Sequence, residues 1–320
     1  MTYRTTSKMA ERKAARRRRL LTLMNGIFLF PLHSSIVPLR RIRLTILLGG
    51  AALLAQQPQN PSPMVEHTRA HPRLLKESPP GRRETIELGT LFLPAKLKLK
   101  SPLPLLFFFH GGTWLPEVAA ARSGKTAVVS IQIGAGSGVY AKAFAGAERF
   151  ENLLAEAETK AGVRFEPVTL AGWSAGCAAI REIMKSPGAY RRVRNVLLID
   201  GIHTGYVTGK PGPLESQLEP DNLEMFVRLA RDAMAGKKQV IITHSEIFPG
   251  TYASTTETAD YLLAQLGLRR RPLVKWGPMG TQQLSEVRRG KFLLVGFAGN
   301  SAPDHLDQLH SLPAYVRWLK

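Results

Sequence analysis

The stretch Glu166-Pro167-Val168-Thr169-Leu170-Ala171-Gly172-Trp173-Ser174-Ala175-Gly176 decides how this chain is read. Val168 to Ala171 has the composition of a short buried strand. A run of small and helix-favouring residues follows, from Ala175 to about Lys185. A serine with glycine two positions away on each side, set between strand and helix, requires a sharp turn and a strained backbone at the serine. A side chain at 172 or 176 would collide with the neighbouring strand or the helix start. Such a turn lifts the Ser174 hydroxyl above the sheet and aims the Ala175 amide at the same space. The simpler alternative is a strand-to-helix turn whose serine only caps the helix, and the flanking sequence has to choose between them.

The flanks alternate strand and helix patterns. Thr85 to Leu93, Leu103 to Phe109, Ala127 to Ile133, Val193 to Ile199, Gln239 to Thr243 and Lys291 to Phe297 are apolar runs of strand length. Tyr140 to Ala161, Leu223 to Ala235, Thr255 to Leu266 and a segment from about Pro303 to Leu319 read as helices, and 267–290 as an irregular insertion. Strands that are nearly continuous Val, Ile, Leu and Phe predict an α/β fold: a mostly parallel central sheet with helices on both faces. Ligands of such sheets bind at the carboxyl ends of the strands. The chemically interesting groups fall there: His110-Gly111-Gly112-Thr113, Gly134 to Gly138, Asp200-Gly201 and His244-Ser245-Glu246.

The formal charge of +20 over 320 residues invites a nucleic-acid reading until it is located. Residues 1–55 hold eleven Lys/Arg and one acid, Glu11, so half of the excess lies in this leader. The remaining basic clusters lack interleaved aromatic residues or zinc-finger spacing, and no nucleic-acid partner is expected. Arg40 to Arg43, the apolar Leu44 to Ala55 and the polar Gln56-Gln57-Pro58 have the layout of a secretory signal with cleavage after Ala55, or of an N-terminal anchor. The protein is therefore expected to be exported, periplasmic or secreted, with membrane contact only through the leader. The apolar run is short for a spanning helix, which takes roughly 20 residues. Residues 56–82, rich in Pro, Gln and Ser, read as a linker or disordered arm, and 83–320 as the folded domain. Cys177 is the lone cysteine, expected to be a small core residue.

His110-Gly111-Gly112 closes an apolar strand about sixty residues before Gly172 to Gly176, and candidate acids and histidines follow in order. In these motifs the chain resembles the α/β-hydrolase superfamily, in its esterase-like branch, over about residues 84–320. The resemblance implies a serine hydrolase acting on a small carboxylic ester or related acyl substrate through an acyl-enzyme, with Ser174 as nucleophile. It implies an oxyanion hole from the amides of Gly111 or Gly112 and Ala175. The third glycine of the lipase-type motif is replaced here by Thr113. The family order of serine, carboxylate, histidine leaves two choices at each later position. The histidine is His305, near the end of the last strand, or His310, more than a helical turn further on. The acid is Asp200, in an Asp-Gly turn, or Glu246, after the next strand, with Asp304 as a residual candidate. Trp114 and Trp173 are candidates to wall an acyl pocket, with core or rim packing as the alternative for each, whereas His203 and His244 read as structural, with pocket lining as their alternative.

Metal catalysis is disfavoured, since no H-E-x-x-H or thiolate set is present. Gly134-Ala135-Gly136-Ser137-Gly138 imitates a dinucleotide fingerprint, but Val139 stands where the last glycine is needed, so it reads as a turn and no cofactor is expected. A non-catalytic binding protein of the same fold, or less favourably an NAD(P)-dependent reductase, are the competing functions.

Overall fold

The structure, a computed structural model, describes residues 70–211 and 217–319. The expected leader and the first part of the expected linker lie outside the described residues. The strands are β1 (Gly81–Ile86), β2 (Gly89–Pro94), β3 (Leu103–Phe109), β4 (Ala127–Ile131), β5 (Phe165–Trp173), β6 (Val193–Ile199), β7 (Gln239–His244), β8 (Arg271–Trp276), β9 (Gln282–Arg289) and β10 (Phe292–Phe297). They form one sheet in the order β1-β2-β4-β3-β5-β6-β7-β10-β9-β8. From β4 to β10 every neighbouring pair is parallel, and the pairs at the two flanks are antiparallel. β5, which carries the serine turn, pairs with β3 on one side and β6 on the other.

The helices are α1 (Trp114–Ser123), α2 (Ser137–Phe144), α3 (Arg149–Ala161), α4 (Cys177–Ile183), α5 (Pro187–Arg192), α6 (Glu224–Met234), α7 (Thr255–Leu266), α8 (Ala302–His310) and α9 (Leu312–Val316). Alternation along the strands sorts their side chains into two layers. Leu105, Phe107 and Phe109 of β3 join Leu170, Leu198 and Ile242 in a core that also holds Phe150, Ile180, Phe226 and Leu262 from α3, α4, α6 and α7. Leu106 and Phe108 point the other way, into a smaller core with Leu115, Leu309, Leu312 and Tyr315 from α1, α8 and α9. This two-sided burial is why the central strands show no polar alternation. Phe107 and Phe109 are wholly buried, each worth roughly 1.5–3 kcal/mol relative to an exposed ring.

Several expected elements differ. Thr85 to Leu93 is not one strand: the chain reverses at Glu87-Leu88, with Leu88 at φ +67°, and β1 folds back on β2. The expected helix 140–161 is two, α2 and α3, separated around Gly146. The insertion 267–290 is regular: β8 and β9 extend the sheet beyond β10. Its exposed strand β8 alternates little in burial, which hid it. α1 was missed because Thr113 to Glu117 carries little periodic signal.

Residues 71–74, inside the expected linker or disordered arm, run along α8. His71 Nδ1 lies 2.7 Å from Asp307 Oδ2, Arg73 Nε donates to Asp307 Oδ1 at 3.1 Å, and the Leu74 N–H donates to His310 Nδ1 at 3.1 Å. Among the described residues no helix is long and apolar enough to cross a membrane.

Candidate active site

Ser174 leaves the end of β5 at φ +49°, a left-handed conformation unfavourable for a residue with a side chain. The surroundings hold it there. A Cβ on Gly176 would lie 2.1 Å from the Phe109 carbonyl oxygen, and one on Gly172 would lie 2.8 Å from the Gly176 carbonyl carbon. The turn therefore closes only with glycine at both places. Cys177 follows it, fully buried, with its Sγ donating to the Gly172 carbonyl at 3.2 Å and burial raising its thiol far above the ordinary value. The Ser174 side chain is half-buried and faces open space.

Asp200 directly follows β6, the neighbouring strand, also in the left-handed region at φ +44°. The next residue has to be glycine, because a Cβ on Gly201 would meet Ser174 O at 2.3 Å and Cys177 Sγ at 2.7 Å. The turns after β5 and β6 are thus pressed together, and Asp200 is carried beneath the site, 1% exposed. Four donors converge on its carboxylate. Oδ1 accepts from the Ser245 N–H and the Thr255 hydroxyl, each at 2.7 Å. Oδ2 accepts from the Ser245 hydroxyl and from His305 Nδ1, also each at 2.7 Å. Burial alone would raise this carboxyl. The hydrogen bond and charge of His305, with the bonds from Thr255 and Ser245, outweigh it and hold Asp200 well below the usual carboxylate range.

His305 comes from α8, which starts at the carboxyl end of β10. Ser301 caps the helix by accepting from the Asp304 N–H at 3.4 Å, with Pro303 in the first turn. An ionised carboxylate only accepts, so His305 Nδ1 is the donor in this bond, and in the neutral ring the lone pair lies on Nε2. The ring is 23% exposed and packs at 4.5 Å centroid separation against Trp173, whose Nε1 donates to the His305 carbonyl at 3.1 Å. On its far face Trp173 stacks on His110 at 5.1 Å. Burial, then the charge of His305, lowers the His110 imidazole.

Two cavities meet at Ser174. The smaller, about 180 Å³, is lined by His305 and by Ile247, Pro249, Tyr252 and Ala302. The larger, about 590 Å³, is lined by Ala175, the turn Gly136 to Gly138, Arg181 and Asn222. His203 and Tyr252 line both.

Of the paired alternatives, the structure brings Asp200 and His305 together and leaves Glu246 and His310 apart. The Glu246 carboxylate accepts from the Gly299 N–H at 3.4 Å. The His310 ring lies against Trp114 at 5.7 Å and serves the 71–74 segment. Asp304 is buried in the cap of α8, with Ser301 Oγ 2.6 Å from its Oδ2. Ala175 lines the larger cavity, but Gly111 and Gly112 line neither. His110 at φ +70° and Gly111 at φ +104° turn that loop toward the end of β4, where the Gly111 N–H donates to Gln132 Oε1 at 2.7 Å. Trp114 does not wall the cleft, because it packs below it with His310. Trp173 lies behind His305 rather than at the cavity surface. His203 is a cleft residue after all. Its Nδ1 is buried without a hydrogen-bond partner among the described residues, and burial lowers its imidazole to about 4.

Sequence reasoning missed Ser245, Thr255, Arg181 and Tyr252. Ser245 alone had a signal, standing beside His244 at a strand end. Among the described residues His71, Asp304 and Asp307 are close enough together to share an ion, behind α8 and away from Ser174, where Arg73 already supplies positive charge to Asp307.

No protein-family model and no curated protein matches this chain. Similar solved structures include a Pyrobaculum calidifontis esterase, 14% identical with a TM-score of 0.44, covering 94% of this chain and 97% of that one. A thermophilic esterase of the Planctomycetes species Thermogutta terrifontis is 17% identical with a TM-score of 0.43, covering 75% and 93%. A Thermus thermophilus protein is 18% identical with a TM-score of 0.43, covering 75% and 99%. Its own strand order, with six parallel strands at the centre and a serine turn after β5, gives the chain the α/β-hydrolase fold.

Proposed function

We propose that this protein is a serine hydrolase that cleaves small carboxylic esters or related acyl compounds. The observation that supports it most is the His305–Asp200 bond at 2.7 Å, which engages Nδ1 and leaves Nε2 to accept a proton, on a residue that lines the same cavity as Ser174. In this reading His305 Nε2 takes the Ser174 proton as Oγ attacks the ester carbonyl. The buried Asp200 carboxylate stabilises the imidazolium that forms. The Ala175 amide receives the developing oxyanion. A second donor from the His110 loop requires Gly111 to exchange Gln132 for the substrate oxygen. His305 then protonates the departing alkoxide, and water, activated by the same imidazole, releases the acid.

The glycine turn Gly134 to Gly138 belongs to the cleft in this reading and needs no nucleotide. Export through the 1–55 leader is part of the same proposal, and N-terminal sequencing of the mature protein tests it. The hydrolase reading is tested with purified protein and p-nitrophenyl butyrate. Wild type should turn the ester over and Ser174→Ala should abolish turnover with an unchanged Tm. Equal rates in the two proteins would end the proposal.

A further inference from the structure

The two cavities differ in chemistry, and the hydrolase reading assigns each a half of the substrate. His305 has to reach the leaving oxygen to protonate it, and His305 lines only the smaller cavity. The alcohol part therefore lies there, among Ile247, Pro249 and Ala302. Ala175, on the oxyanion side, lines only the larger cavity, which is left for the acyl chain.

Among the described residues, Arg181 is the one Lys, Arg, Asp or Glu on the wall of that larger cavity. Arg181, on α4, lines it with its side chain 13% exposed. Its Nε donates to Glu182 Oε1 at 2.8 Å, but the same carboxylate also holds Lys185 at 2.7 Å, so one acid serves two cations. Nη1 and Nη2 of Arg181 have no acceptor among the described residues. Opposite stands the first turn of α2, which packs against α4. Its N-cap is Gly136, at φ +90°, so no side chain caps it. A Cβ on Gly136 or Gly138 would meet nothing within 4 Å. The Val139 N–H donates to the Gly136 carbonyl at 3.2 Å, but the Ser137 and Gly138 amides have no acceptor among the described residues, and with the positive end of the helix dipole they open into the cleft, an arrangement suited to an anion. His203 lines both cavities, and its buried Nδ1 has no hydrogen-bond partner among the described residues. No carboxylate lines this cavity among the described residues, and Glu219, which lies against Gly205, is not part of the wall.

We infer that the substrate's acyl chain ends in a carboxylate, held between Arg181 and the open first turn of α2. This rests on the hydrolase reading and narrows it to monoesters of dicarboxylic acids. Arg181 follows Ser174 by seven positions, about 10 Å at ordinary helical rise, and its side chain leans back toward the serine. A spacer of roughly two to four methylenes bridges that gap.

The test compares mono-p-nitrophenyl glutarate with p-nitrophenyl valerate, which share an acyl chain length and differ in the terminal charge. Wild type should prefer the anionic ester, and Arg181→Met should lower the ratio of kcat/KM values by about 10- to 100-fold, the loss of a charge-assisted hydrogen-bond pair. Added salt should weaken the wild-type preference. Gly138→Asp places a carboxylate in the open turn, where the helix dipole favours it, and should also abolish the preference. An unchanged ratio in both variants overturns the inference while leaving ester hydrolysis standing. If wild type hydrolyses neither ester, the hydrolase reading fails first, and calorimetry with glutarate then decides. Heat of binding in wild type that is lost in Arg181→Met keeps the anion site, and no heat in wild type removes it.

Discussion

Replacing Asp200 by asparagine removes a charge without changing shape, and the donors around it make the consequence definite. Four donors meet two oxygens. Asparagine offers one oxygen and an amide that itself donates. If its oxygen stays with the Ser245 N–H and Thr255, the amide faces the Ser245 hydroxyl and His305 Nδ1. The hydroxyl can rotate to accept. The imidazole can accept only by moving its proton to Nε2, where it can no longer take the Ser174 proton. The opposite placement sets the amide against the Ser245 N–H, a buried donor that cannot rotate away. Loss of the correct tautomer costs about 10⁴ in kcat in a comparable serine–histidine–aspartate site, or about 5.5 kcal/mol. Stability should fall less, by about 2–4 kcal/mol, since two donors keep a partner. The assay is kcat for p-nitrophenyl butyrate at pH 8 with Tm measured in parallel. An Asp200→Asn enzyme that keeps more than a tenth of wild-type kcat would refute the reasoning. So would a comparable loss in Glu246→Gln with Asp200→Asn unaffected.

The two late histidines should separate sharply. His305→Gln is expected to lower kcat by about 10³-fold or more, whereas His310→Gln, which loses the bond to the Leu74 amide, should stay within a few-fold in kcat and lose about 1 kcal/mol of stability. Acid sensitivity has a defined sign. Burial, reinforced by the charge of Arg270, holds the His244 imidazole at about 4 against an ordinary 6.5. The unfolded chain binds this proton as pH drops below 6.5 and the folded protein does not, so its contribution is full above 6.5 and is lost by pH 4. The loss is about 3 kcal/mol, and Tm should fall between pH 7.5 and pH 5, less so in His244→Gln. Equal Tm values at the two pH values would contradict this.

The fold was readable because apolar runs of strand length alternate with helical segments, and because the glycines at 172 and 176 answer a collision that any such turn would suffer. The pairing of Asp200 with His305 was readable through Gly201, whose missing side chain lets the β6 turn press against Ser174. The residues that line the cleft were not. His110 and Gly111 look the same in sequence whether their loop faces the serine or the end of β4, and that choice is set by Gln132, twenty-one positions away. Trp114 and Trp173 sit next to motif residues yet pack beneath the cleft. Arg181 lines it from a helix whose facing depends on packing, and His203 from the loop after β6. Ser245 and Thr255 belong to separate elements and meet only through the carboxylate they share.

The central claim is that Ser174 is a nucleophile activated by His305. Treating the full-length protein with a fluorophosphonate and locating the adduct by peptide mass spectrometry tests it most directly. The account predicts one phosphonylated residue, Ser174, with labelling slowed by orders of magnitude in His305→Gln. Folded wild-type protein that takes up no label, or labelling at full rate without His305, would contradict it.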